Sequence, residues 1–162
     1  MSYEFGDKVN VDKLRSSHKN FSTHQPVNPS TYQPINSSTR HPVELVAEEG
    51  ASLSSGSLRL YALPYGCVDL YAYDPLNRRA AVGIMVATEH RRKGYALAML
   101  EALRHMAADT YRLHCLYADI AATNTASTAL FRKAGYSECG HFKEWLEYDS
   151  HFVDTIRMQL IL

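Results

Sequence analysis

The most constraining stretch is AAVGIMVA, Ala80 to Ala87, eight residues with no charged or polar side chain. A strand of this kind is buried on both faces, as in a sheet whose crossover connections carry helices. It leads through the short loop TEHRRKG into a helix from about Gly94 to Ala107. There Leu97, Leu100, Leu103 and Met106, with Ala96, Met99 and Ala107 beside them, form one apolar stripe. A buried strand followed at once by an amphipathic helix is half of a βαβ unit. The chain therefore reads as α/β.

The loop raises a charge problem. Arg91, Arg92 and Lys93 stand in front of the helix, at the positive end of its macrodipole. An anion between them and the free N–H groups of the first turn resolves the repulsion. Gly94 permits an unusual dihedral or a close backbone approach, and guanidinium and ammonium groups suit phosphate. The residues alone reach only a phosphate-bearing ligand, and an exposed basic turn without one stays open. No glycine-rich run ends in Gly-Lys-Ser/Thr, so a P-loop is excluded, and a Rossmann fingerprint is missing too.

Around this unit the order from Ser57 is β-β-β-α-β-α-β-β. SLRLYALP and CVDLYAYDP alternate apolar and polar residues and read as antiparallel strands, with DPLNRR as a turn. RLHCLYADI is a strand and NTASTALFRKAG a helix, capped by Thr123 or Asn124 and stopped at Gly135. YSECGHFKEWL and FVDTIRMQLIL are two final antiparallel strands. The whole predicts a mixed central sheet of about six to seven strands with helices on both faces. Before Ser57 the chain is polar, and residues 1–56 read as a largely irregular segment ahead of a domain at 57–162. Within it PVELVAEEG, Pro42 to Gly50, has the punctuation of a short helix.

Composition narrows the partners. Lys plus Arg number 17 and Asp plus Glu 17, so the broad basic footprint of a nucleic-acid binder is missing. No apolar run is long enough to span a membrane, and MSYEFGDKVN lacks the apolar core of a signal peptide. The three cysteines, Cys67, Cys115 and Cys139, fall in strand stretches and read as small buried hydrophobes in a reducing compartment. A cytoplasmic protein without nucleic-acid or membrane partners is expected. The eight histidines pair with no cysteine at zinc spacing, so no metal is expected.

The loop also resembles the acetyl-CoA signature of the GNAT N-acetyltransferases, Arg/Gln-x-x-Gly-x-Gly/Ala, with Arg91, Gly94 and Ala96 in place. LHCLYADIAATNTASTALFRKAGY is similar to the family's second block, and GHFKEWLEYDSHFVDTIRMQLIL to the ending of its ribosomal-protein and polyamine acetyltransferase branch. The resemblance implies acetyl-CoA as donor, lying where the central strand and the next one part. Its pantetheine would meet Ile84, Met85 and Val86, and its pyrophosphate Arg91, Arg92, Lys93, Gly94, Tyr95 and Ala96. Asn124, Ser127 and Phe131 of the second helix would border it. The implied reaction is direct attack on the thioester by a primary amine of a polyamine-like small molecule or a protein N-terminus. The alternative is a non-catalytic acyl-CoA-binding relative with an eroded acceptor half, and a phosphate-binding domain unrelated to acetyl transfer explains the loop alone.

Two departures stand out. Many relatives carry a tyrosine where this chain has Phe131, which has no hydroxyl to protonate the thiolate. Tyr136, Tyr95 and water are the stand-ins. The central strand offers no carboxylate to accept a proton, so Asp69 on the preceding strand is the candidate base, ahead of Asp119 and Glu89. The family's helical wall for the acceptor has no convincing counterpart before residue 57. The acceptor stays open on these residues, and the frequency of dimers among relatives leaves a homodimer open.

Overall fold

The computed structural model describes residues 43–47 and 51–162. Seven strands, β1 (Val46–Ala47), β2 (Leu58–Ala62), β3 (Gly66–Asp74), β4 (Arg79–Val86), β5 (Cys115–Ala121), β6 (Ser137–Tyr148) and β7 (His151–Ile161), form one sheet in the order β1-β2-β3-β4-β5-β7-β6. Helix α1 (Tyr95–Asp109) crosses from β4 to β5, and α2 (Thr125–Lys133) connects β5 to β6. The pairing of β4 with β5 is parallel and every other pairing is antiparallel. This is the mixed α/β sheet read from the sequence, with the same order of elements from Ser57 onward.

Side-chain alternation decides where the core lies. Leu58, Leu60, Val68, Leu70, Ala80, Val82, Leu116, Ala118, Ile120, Met158 and Leu160 point to one face and join a single buried cluster with Met99, Leu100 and Leu103 of α1 and Phe131 of α2. Both helices thus pack on that face, whereas helices on both faces were expected. Among the described residues the second face carries none.

Three local expectations need correction. Pro42 to Gly50 was expected to be a short helix, but Val46 and Ala47 pair with Tyr61 and Leu60 as strand β1, and Leu45 is buried in the core. Two residues of sheet pairing outweigh the weak propensity of so short a helix; Pro42 and residues 48–50, like the polar segment at 1–42, lie outside the described residues. The central strand β4 is buried on both faces only through Ala80, Ala81 and Val82, and Met85 is 38% exposed. Its later half has lost its neighbour β5, as described below. Of the cysteines, Cys67 is buried, Cys115 half-buried and Cys139 exposed, because β6 is the edge strand.

Gly66 ties the β2–β3 turn to the end of β4. It pairs with Val86, and a Cβ on it would run into the carbonyl of Met85 and the Cα of Val86. Gly66→Ala is expected to cost about 1–3 kcal/mol, as for an overpacked interior, read as a lower urea midpoint. An unchanged midpoint would show that β4 yields freely there.

Candidate functional site

Strands β4 and β5 pair only at Arg79↔Cys115, Ala80↔Leu116 and Ala81↔Tyr117. Beyond that point each keeps its other partner. β4 stays with β3 to Gly66↔Val86, and β5 stays with β7 to Ala121↔Thr155. A cleft therefore opens between Val82–Val86 and Ala118–Ala121, with its vertex at Ala81 and its mouth at the basic loop.

The backbone register shows what lines the β4 side. The Ala87 N–H donates to the Tyr65 carbonyl across the β3–β4 pairing. Backbone groups alternate along an antiparallel strand, so Met85 and Gly83 face β3 while Ile84 and Val86 face the cleft. Of the three β4 residues expected to meet pantetheine, Ile84 and Val86 present backbone donors and acceptors there, and Met85 does not. Arg91 Nε donates to the Val86 carbonyl at 3.0 Å. Part of that guanidinium is thus committed to holding the loop against the strand end.

The loop itself is a short 3-10 turn at Thr88–His90, then Arg91 in extended conformation, Arg92 at φ +63° and Gly94 at φ +92°. Left-handed residues in such turns direct backbone N–H groups into one concavity that favours anions. Gly94 caps α1 with no side-chain acceptor on its first N–H groups, which leaves them for a ligand. Arg91, Arg92, Lys93 and Gly94 are exposed and Tyr95 and Ala96 half-buried. Their charge and the open helix end lie side by side, the arrangement an anion site requires.

One part of this loop was not foreseen. Tyr65, from the β2–β3 turn, stacks on Tyr95 at 3.9 Å between ring centroids, and His90 stands edge-on to both at 5.2 and 5.7 Å. The cluster pins the loop to the neighbouring turn. Nothing in a lone Tyr-Gly turn signals such a contact between residues thirty positions apart.

The residues named on α2 fare differently. Asn124 is the N-cap, its Oδ1 accepting from the Ser127 N–H at 3.1 Å. Phe131 is 3% exposed and packs edge-on against Tyr136, also 3% exposed, at 4.9 Å. The Tyr136 hydroxyl is raised well above the ordinary phenol range, mainly by burial and then by Cys115. Cys115 lies at the closed end of the β4–β5 pairing, so Tyr136 sits in the core, away from the cleft.

Asp69 is well placed but occupied. It pairs with Gly83 across β3–β4, and both carboxylate oxygens accept from Arg59 of β2, at 2.7 and 2.9 Å. To serve as a base it must give up part of that bidentate pair. Asp119 is held in the same way by Arg157 of β7, both bonds at 2.7 Å, and Arg157 lies over the Tyr117 ring at 4.8 Å. Glu89 is exposed beside the loop. Among the described residues no group of three His, Cys, Asp or Glu is placed to hold a metal ion, and no helix is long and apolar enough to cross a membrane.

With this geometry in view, the comparison with known families is decisive: residues 35–137 match the acetyltransferase (GNAT) domain. The chain belongs to the GNAT acetyltransferase family. That family's acetyl donor is acetyl-CoA, and the cleft with its basic mouth has the donor set such a molecule needs. Among curated proteins the chain is 27% identical over 96 residues to spermidine N(1)-acetyltransferase of Vibrio cholerae serotype O1, covering 59% of this chain and 56% of that protein. The match thus spans little more than half of that relative. Among solved structures, Vibrio cholerae spermidine N-acetyltransferase in complex with CoA and spermine superposes with a TM-score of 0.63 at 24% identity, covering 67% of each chain. A dodecameric form of the same enzyme gives 0.62 at 24% identity over 65% of each chain. These two show the fold.

The Tyr136 hydroxyl is buried with no hydrogen-bond partner among the described residues, a costly state for a polar group. Tyr136→Phe is expected to raise stability by about 1 kcal/mol, read from the urea midpoint, and to leave acetyl-CoA affinity unchanged. A large loss of affinity would place Tyr136 at the donor site after all.

Proposed function

We propose that this chain is an acetyl-CoA-dependent N-acetyltransferase that moves the acetyl group to a primary amine by direct attack. The acceptor class is a polyamine-like small molecule or a protein N-terminus. The observation that carries the reading is the cleft between β4 and β5, opening onto the uncapped N-terminus of α1 and the Arg91–Gly94 loop. Backbone amides along β4 suit the amides of pantetheine, and the loop suits its pyrophosphate. In this reading the N–H of Ile84 polarises the thioester carbonyl in the cleft. The spermidine acetyltransferase among the relatives supports a polyamine as acceptor. We further place the donor-binding site within residues 57–162, in a domain whose sheet also takes in Val46–Ala47, in a cytoplasmic protein that forms homodimers.

A second reading has an observation in its favour. Asp69 is engaged by Arg59 and Tyr136 is in the core, so the leading candidates for base and acid are not free at the cleft. That favours a chain that binds acyl-CoA without turning it over.

Calorimetric titration with acetyl-CoA and with CoA, followed by transfer assays on spermidine and on peptide N-termini, separates the two. Micromolar binding, about −8 kcal/mol, together with acetylated product supports the enzyme. Binding without product supports the second reading, and no binding by folded protein rejects both. Gly94→Asp is expected to abolish acetyl-CoA binding while the fold persists. A Cβ at Gly94 meets nothing within 4 Å, and only its left-handed φ of +92° opposes it, at about 1–2 kcal/mol. Unchanged affinity in this variant would refute the loop as the pyrophosphate site.

A further inference from the structure

We propose that Tyr71 carries the proton between the attacking amine and the departing thiolate, an assignment that rests on the transferase reading above. Tyr71 lies on β3 opposite Ala81, on the same face as Asp69 and away from the helices. Its ring does not simply stand over its own strand. Cε1 lies 3.6 Å from the position a Cβ on Gly83 would take, and Gly83 is the second β4 residue beyond the last pair with β5. The ring therefore reaches the vertex of the cleft. The strand is irregular right after it, with Ala72 at φ +48° inside the register shift between Tyr71 and Asp74. Bulges of this kind re-aim the neighbouring side chain and recur beside active sites.

The surroundings suit a proton donor. At 40% exposure the ring is open to an entering amine. The charged and titratable groups that bear on the hydroxyl are Asp119 and Tyr117 of β5, Asp69 of its own strand and Arg157 of β7. Burial first, and then Asp119, Tyr117 and Asp69, raise it above the ordinary phenol range, against the opposing charge of Arg157. It thus stays protonated at neutral pH. The two carboxylates cannot readily take over the task, since Arg59 and Arg157 each hold one in a bidentate pair.

A pantetheine arm anchored at Arg91–Ala96 and lying along Val86 and Ile84 has its thioester end directed at Gly83, beside the Tyr71 ring. In the transfer step the amine lone pair forms the N–C bond and the C–S bonding pair leaves with sulfur. The Tyr71 O–H gives its proton to that sulfur, and the new amide nitrogen returns one to the Tyr71 oxygen. One N–C bond replaces one C–S bond, and the nitrogen's proton ends on the thiol.

Tyr71→Phe keeps the ring and removes only the hydroxyl. Acetyl-CoA affinity by calorimetry and steady-state transfer to spermidine and to a peptide N-terminus are compared with wild type. The expected result is donor affinity and acceptor KM within about twofold of wild type, with kcat lower by about 100-fold, the scale of general acid–base catalysis. A kcat within about twofold of wild type overturns the role of Tyr71 and leaves the transferase reading intact. Wild-type protein that binds acetyl-CoA and acetylates neither acceptor overturns both.

Discussion

The rest of the molecule depends on a competition between neighbouring strands. β4 has β3 on one side and β5 on the other, and it keeps β3 along its length but β5 only through Ala81. β5 makes the opposite choice and follows β7. Antiparallel pairs are slightly the more stable per residue, and here each strand follows its antiparallel partner once the two diverge. The parting leaves each strand on an antiparallel partner. It exposes backbone groups of a central strand that a continuous sheet would bury, next to a helix N-terminus in the same state.

Charge then divides the molecule's surfaces by use. The loop in front of α1 concentrates Arg91, Arg92 and Lys93, with Arg91 also tethered to the Val86 carbonyl. On the helix-free face the carboxylates are balanced one to one, Asp69 by Arg59 and Asp119 by Arg157. Solvent-exposed pairs of this sort add little stability. Their effect is to fix the two acids in place around Tyr71 and Tyr117, so the ground near the vertex is polar and ordered but not strongly negative.

Much of this was legible in the residues, for reasons that can be named. The all-apolar run at Ala80–Ala87 and the stripe on α1 are periodic signals, and periodicity survives without knowledge of the fold. The loop was legible because its cations stand where a helix dipole disfavours them. What escaped was long-range. The stack of Tyr65 on Tyr95 joins residues with no local pattern between them, and the engagement of Asp69 depends on Arg59, whose opposition to it follows only from the β2–β3 register. Tyr136 appeared as a stand-in for the hydroxyl missing at Phe131, but a one-dimensional reading does not show that the two rings pack against each other in the core. Tyr71 was visible in one respect, since it lies two residues from Asp69 and so shares its face. Its reach to the vertex depends on Gly83, on another strand.

The parted strands have one more consequence. Val82–Val86 forms a sheet edge unpaired by β5 in the interior of the sheet rather than at its rim, and edges accept extended partners through main-chain hydrogen bonds. To such an edge, an arm bearing amide groups is equivalent to a short added strand. In the proposed reading the strand edge thus selects for amide spacing, which pantetheine and an extended peptide share. Discrimination between the two falls to the cationic turn at the mouth, where a peptide has no diphosphate to offer.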